Sequence, residues 1–71
     1  MQMTAHQIAM PTFAILPRSE DFIFEVDAEF FNSQDQAFDA AFDWSVELNG
    51  TSVKLFRRSF GKWVELTSVF A

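Results

Sequence analysis

Ten phenylalanines and two tryptophans stand among 71 residues, and in a chain this short they decide what the interior is made of. Such a chain buries only about 60% of its extended surface. Each aromatic ring removes roughly 150 to 250 Å² from water, so twelve of them can build one core without a covalent staple. There is no cysteine to supply one, which excludes disulfides and thiolate metal sites and fits a reducing compartment. A hydrophobic fraction of 49% beside 21% charged residues marks an ordered globular chain. One domain over residues 1–71 is expected, with residues 1–7 as a flexible N-terminal segment.

The charge is unevenly spread. Residues 1–18 carry +1, residues 19–50 carry −9 and residues 51–71 carry +3, for a net charge of −5. A net negative chain lacks the basic footprint that phosphates demand, so direct nucleic-acid binding is not expected. No apolar run approaches the roughly 18 residues of a membrane helix. The start, Met1-Gln2-Met3-Thr4-Ala5-His6, lacks the basic-then-apolar pattern of a secretory signal. A cytoplasmic protein with no membrane partner is the expectation. An acidic first half and a basic second half either pair across a sheet or form separate surfaces.

From Asp21 to Phe31 the residues alternate, with Phe22, Phe24, Val26, Ala28 and Phe30 on one face and Asp21, Glu25, Asp27 and Glu29 on the other, broken only by Ile23. The alternation predicts a strand, wet on its acidic side. Ile8 to Leu16 predicts a shorter strand, which Pro11 pushes to a sheet edge because it cannot donate to a ladder. Pro17-Arg18-Ser19-Glu20 reads as the turn between the two. Asn32 and Ser33 are helix caps, Asp35 suits the first turn, and strong helix formers follow, so a helix is predicted from about Ser33 to Asp43. Positions three and four apart make Ala37, Phe38 and Ala41 its buried stripe, with Ala40 and Phe42 at the margins.

Trp44 to Leu48 admits two forms. A continued helix would end at Asn49-Gly50 with a left-handed cap, whereas a strand would turn there through a two-residue hairpin. The hairpin places Val46 opposite Val53, Trp44 opposite Leu55, Glu47 opposite Ser52 and Ser45 opposite Lys54, and this matched polarity favours the strand. A second hairpin is predicted at Ser59-Phe60-Gly61-Lys62, pairing Leu55 with Leu66 and Arg58 with Trp63 and lining one face with Val53, Leu55, Val64 and Leu66. The last strand then runs from Trp63 to Phe70. The fold class is α+β: a small antiparallel sheet of four to five strands, in the order β-β-α-β-β-β, with one helix packed on one face.

The sequence holds little that points to catalysis. His6 is the only histidine, and Gly50 and Gly61 are the only glycines, so neither a nucleophile–base pair nor a phosphate-cradling loop can be assembled. Asp35, Asp39 and Asp43 do not follow the spacing of a calcium loop. No catalytic residue, metal or cofactor is predicted. The positive feature is the four-residue step from Asp35 to Asp39 to Asp43, which aligns three carboxylates on one helix ridge where they repel by roughly 0.2 to 0.5 kcal/mol per pair.

Phe42 flanks that ridge, and Glu25, Asp27 and Glu29 would add the acidic strand face. Rings bordered by carboxylates suit a protein partner with a basic surface, the rings giving buried area and the acids giving steering. Glu25, Asp27, Glu29, Asp35, Asp39, Phe42 and Asp43 are therefore the candidate partner-binding residues of a non-enzymatic interaction module. The alternative is a structural subunit forming a homodimer or larger assembly, because Phe31, Phe56, Phe60 and Trp63 fall on the polar or turn side of the predicted strands. Arg57 and Arg58 beside Trp63 suit a cation packed on a ring.

Phe24-Glu25-Val26, Ala28-Glu29, Asp35, Ala37, Ala41 and Trp44 together resemble the strand and helix of small phage proteins that inhibit host RNA polymerase. The resemblance covers roughly a third of the chain and ends at the aromatic-rich segment after Trp44. It implies an inhibitor whose acidic surface occupies a basic groove of a nucleic-acid-handling enzyme.

Overall fold

A computed structural model describes residues 11–71; the N-terminal segment 1–7 and the opening of the Ile8–Leu16 strand lie outside the described residues. The architecture is α+β, a four-stranded antiparallel sheet with one main helix packed on it. Its elements are β1 (Phe13–Pro17), α1 (Phe24–Asp27), β2 (Glu29–Phe31), α2 (Gln34–Glu47), β3 (Val53–Ser59) and β4 (Lys62–Val69). The sheet order is β2-β1-β3-β4. β1 is thus an interior strand, and Pro11, which was expected to hold it at an edge, precedes the ladder instead of interrupting it.

Register separates the two faces. Phe13, Ile15 and Pro17 of β1 lie opposite Arg57, Leu55 and Val53 of β3, and Val53 lies opposite Val69 of β4. This face carries α2. Its core is Ile15, Ala37, Ala41, Val53, Leu55 and Val69, with Phe13, Phe31, Ala40 and Trp44 packed against it. Small side chains at Ala37, Ala41 and Ser45, all fully buried, bring the helix backbone close to the sheet. Phe38, expected inside, is 46% exposed, because the buried row continues by steps of four to Ser45 and leaves Phe38 on the flank.

The predicted strand from Asp21 to Phe31 does not form. Ile23 caps a single helical turn instead: the Ile23 N–H donates to Asp27 Oδ2 at 2.8 Å, and the Asp27 N–H returns to the Ile23 carbonyl at 2.7 Å. Only Glu29–Phe31 remains extended. The turn carries Phe22 and Phe24, which alternation would put on one face, to opposite faces of the sheet. Phe22 meets Trp44 of α2 edge-on at 5.8 Å. Phe24 lies on the other side against Phe30, Phe56 and Trp63, with centroids 6.1, 5.3 and 5.7 Å away. A second core, aromatic rings packed over the buried Ala14, therefore covers the face away from α2, and the Arg58 guanidinium caps it 5.3 Å from the Trp63 ring. That pairing of Arg58 with Trp63 is the one expected from the sequence. Phe31, Phe56 and Trp63 are partly covered, so of the rings expected outside only Phe60 is wholly exposed.

Trp44 to Leu48 continues α2, contrary to the preferred hairpin. The Gly50 N–H bonds the Ser45 carbonyl at 2.8 Å and the Asn49 N–H bonds the Val46 carbonyl at 3.2 Å, a Schellman cap with Asn49 at φ 58° and Gly50 at φ 88°. A hairpin turn makes the same demand for positive φ at Asn-Gly, so the dipeptide serves both forms. Burial decides: as a helix, the segment hides Ser45 and half-buries Trp44 against Phe22. At the other end Ser33 caps α2 as expected, its Oγ accepting from the Gln36 N–H at 3.4 Å.

The second hairpin turns at Phe60-Gly61 with Arg58 opposite Trp63, as predicted. Beyond Phe56 a β-bulge intervenes: Leu55 pairs with Thr67, not Leu66, and Leu66 becomes the extra residue. Phe60 and Gly61 both have positive φ, 51° and 76°, the conformation of a primed hairpin turn. Phenylalanine is a poor occupant of the first position, and its left-handed backbone costs about 1 to 2 kcal/mol.

The chain end is structural. Val69 is 4% exposed, and the Ala71 N–H donates to the buried Ser45 Oγ at 3.0 Å. Deleting residues 68–71 should cost about 3 kcal/mol, from roughly 2 for the valine and about 1 for the hydrogen bond. A lowered urea midpoint at unchanged far-ultraviolet circular dichroism in water is the expected measurement.

Candidate functional site

Four-residue steps divide α2 into four rows. Ala37, Ala41 and Ser45 face the sheet and are buried, while Ala40, Trp44 and Leu48 form a half-buried flank. Phe38, Phe42 and Val46 form the opposite flank and stay 46, 46 and 53% exposed. Asp35, Asp39, Asp43 and Glu47 lie outermost, all exposed. Each successive residue turns the side chain by about 100°, so Asp39, Asp43 and Glu47 follow Phe38, Phe42 and Val46 around the helix and the acidic row borders the Phe38–Phe42–Val46 row along its whole length. Trp44 leans on Phe22, and Glu47 acts on Glu29 at the β2 edge. The phenylalanine flank is consequently on the β4 side, where Val64 and Leu66 are also 48 and 46% exposed.

The structure brings together Asp35, Asp39, Phe42 and Asp43, but not the three candidates from the predicted strand. Glu25 sits exposed on α1, on a different element from the ridge. Asp27 is engaged as the acceptor for the Ile23 N–H. Glu29 is half-buried on β2, opposite Ile15 and so on the α2 side of the sheet. The acidic strand face expected there is therefore absent, for the same reason that the strand is: the chain coils at Ile23 and splits the three carboxylates between two elements.

Phe38 and Val46 belong to this surface, although their spacing predicts both for the core. Extending the acidic step from Asp43 to Glu47 and the aromatic step from Phe38 through Phe42 to Val46 was the signal that could have found them. Both continue only if the helix does.

The carboxylates are not neutralised by the basic half of the chain. Among the described residues the ion pair within 4.0 Å is Arg18 Nη2 to Glu65 Oε2 at 3.3 Å, and Arg18 also donates to Ser68 Oγ at 3.1 Å. No lysine or arginine approaches the α2 ridge that closely. Burial, and next to it the Glu47 carboxylate, raise the Glu29 carboxyl above its ordinary value. The last turn of α2 has no basic residue, although its dipole favours one there.

A carboxyl with a raised folded-state pKa holds its proton more tightly folded than unfolded. Its ionisation therefore opposes folding, with no cost below the unfolded-state value and the full cost above the folded one. Glu29→Gln should raise stability at neutral pH, and the gain should shrink as pH falls toward about 4, near the ordinary glutamate value. Parallel urea titrations of the two proteins at neutral and acid pH read both signs.

Among the described residues no three histidine, cysteine, aspartate or glutamate side chains are grouped to hold a metal ion, and no helix is long and apolar enough to cross a membrane. His6 lies outside the described residues. Comparison with known proteins finds no matching family model, no matching curated protein and no matching solved structure.

Proposed function

We propose that this protein is a non-enzymatic interaction module that works in the cytoplasm and uses the outer surface of α2 to hold a basic segment of a protein partner. The observation that carries this reading is the side-by-side course of two exposed rows on one helix, Phe38–Phe42–Val46 and Asp35–Asp39–Asp43–Glu47. An apolar row left half in water supplies contact area, and the adjoining carboxylates choose a cationic partner and set its register. At the C-terminal end of the row, Glu47 and Glu29 repel, and among the described residues no cation pairs with either. A partner's lysine or arginine would relieve that repulsion. A protein whose basic face handles nucleic acid offers such cations, and occupying them would inhibit it.

A short peptide with leucines at four-residue steps flanked by lysines is a direct mimic of such a segment. It should bind with an affinity that falls steeply with added salt. Asp39→Lys/Asp43→Lys should abolish this binding at unchanged circular dichroism, since both side chains are solvent-exposed and surface changes of this kind shift stability by only about 0.5 kcal/mol. Fluorescence anisotropy of the labelled peptide measures both. Binding indifferent to salt and to the double variant would remove the proposal.

A further inference from the structure

Phe60 is the most exposed aromatic ring of the protein. It is fully exposed, at 103% of its reference area, and no other ring stands within stacking distance of it. Its backbone sits at φ 51°, a position that asparagine, aspartate or glycine would occupy with less strain. A large apolar side chain held in strained backbone and touching nothing contributes no folding energy that would explain it. The surrounding charge is positive: Arg57 and Lys62 are exposed on either side of the turn. Both lie on the α2 side of the sheet, Arg57 opposite Phe13 and Lys62 in step with Val64.

The described residues thus present two surfaces of opposite sign that do not match each other within one molecule, each with exposed apolar side chains: a cationic tip carrying one ring, and an anionic ridge beside a half-open row of rings. We propose that they match each other between copies, the Phe60 tip of one molecule docking on the Phe38–Phe42–Val46 row of a second, with Arg57 and Lys62 against Asp39 and Asp43. This rests on the reading of α2 as a docking surface and names a second copy of this chain as an occupant. Ridge-on-ridge packing would oppose two acidic rows and is disfavoured. An anionic membrane or a nucleic acid would match the tip but not the ridge, and would have to receive a chain of net charge −5. Tip on ridge is a heterologous contact, in which the two patches differ. β4 itself is a poor alternative, because its free edge carries Lys62, Glu65 and the Leu66 bulge, features that block strand-to-strand addition.

Sedimentation velocity over a concentration series into the sub-millimolar range tests the contact. The wild-type chain should self-associate. Phe60→Asn should be at least as stable in urea, because asparagine suits the turn, and yet sediment as a monomer; a purely structural role for Phe60 would not separate these two readouts. Asp39→Lys/Asp43→Lys should also be monomeric. Mixed in equal amounts, the two variants retain one intact ridge and one intact tip, and a one-to-one heterodimer should appear.

A wild-type chain that stays monomeric throughout overturns the proposal, as does association unaffected by Phe60→Asn or a mixture that forms no heterodimer. If the wild type is monomeric while the lysine–leucine peptide still binds α2, the self-contact alone falls. If neither binds, the docking surface falls with it. Monomeric protein that co-sediments with phosphatidylserine vesicles through Phe60 would assign the tip to lipid and likewise overturn the contact.

Discussion

Replacing Phe24 by alanine should lower stability by about 3 kcal/mol, the lower end of what truncating a packed phenylalanine costs. A chain of this length has roughly 4 to 10 kcal/mol in total, so a large part of the native population would be lost on mild heating. The reason is that Phe24 is the one ring that meets all three of Phe30, Phe56 and Trp63 on the face that α2 leaves open. Without it three aromatic side chains and the Arg58 stem face water or a void. Val26→Ala and Ile23→Ala are the controls, since those side chains are 78 and 56% exposed and should each shift stability by less than about 0.5 kcal/mol. A continuous strand from Asp21 to Phe31 would bury Val26 beside Phe24 and make its truncation cost about 1.6 kcal/mol for the two methyl groups removed. Urea denaturation of the three variants therefore distinguishes the helical turn from the strand by the ratio of their effects.

Ala41→Leu should cost about 2 to 3 kcal/mol, from overpacking rather than from a cavity. Ala41 is completely buried between Ala37 and Ser45 and lies in the same core cluster as Ile15 and Leu55. Three added carbons have no space there, so α2 must lift from the sheet or the leucine must leave its rotamer. Ala40→Leu, on the half-buried flank, should cost far less. Thermal unfolding followed by circular dichroism gives the comparison, and equal effects at the two positions would show that the helix is rotated from the orientation described.

Features specified by neighbouring residues were legible. Ser33 as a cap, the helix starting beside it, and the turn at Phe60-Gly61 with Arg58 opposite Trp63 depend on contacts a few residues apart. The ridge of Asp35, Asp39 and Asp43 was equally readable, because helical spacing alone puts those carboxylates in line. Three features were not. Alternation from Asp21 to Phe31 meets the needs of a two-sided strand, but it does not say that Phe22 and Phe24 find partners on different faces. The bulge at Leu66 shifts pairing by one residue to bring Val69 over Val53, a demand of the far end of the strand. Asn49-Gly50 suits a hairpin and a helix cap alike.

The amino-acid order by itself determined an acidic α+β chain with one capped helix and a terminal hairpin, because propensity, capping and turn chemistry act over a few residues; the fully buried core is aliphatic, and the rings expected to build it pack around it half-covered. It also determined that like charges would line one side of that helix. Tertiary structure decided how far the helix runs, and with it whether Phe38 and Val46 are inside or out. Burying Ala37, Ala41 and Ser45 together lets the backbone of α2 approach the sheet, and that gain exists only once distant strands have assembled. The surface on which the proposed function rests is the flank left over from that close approach.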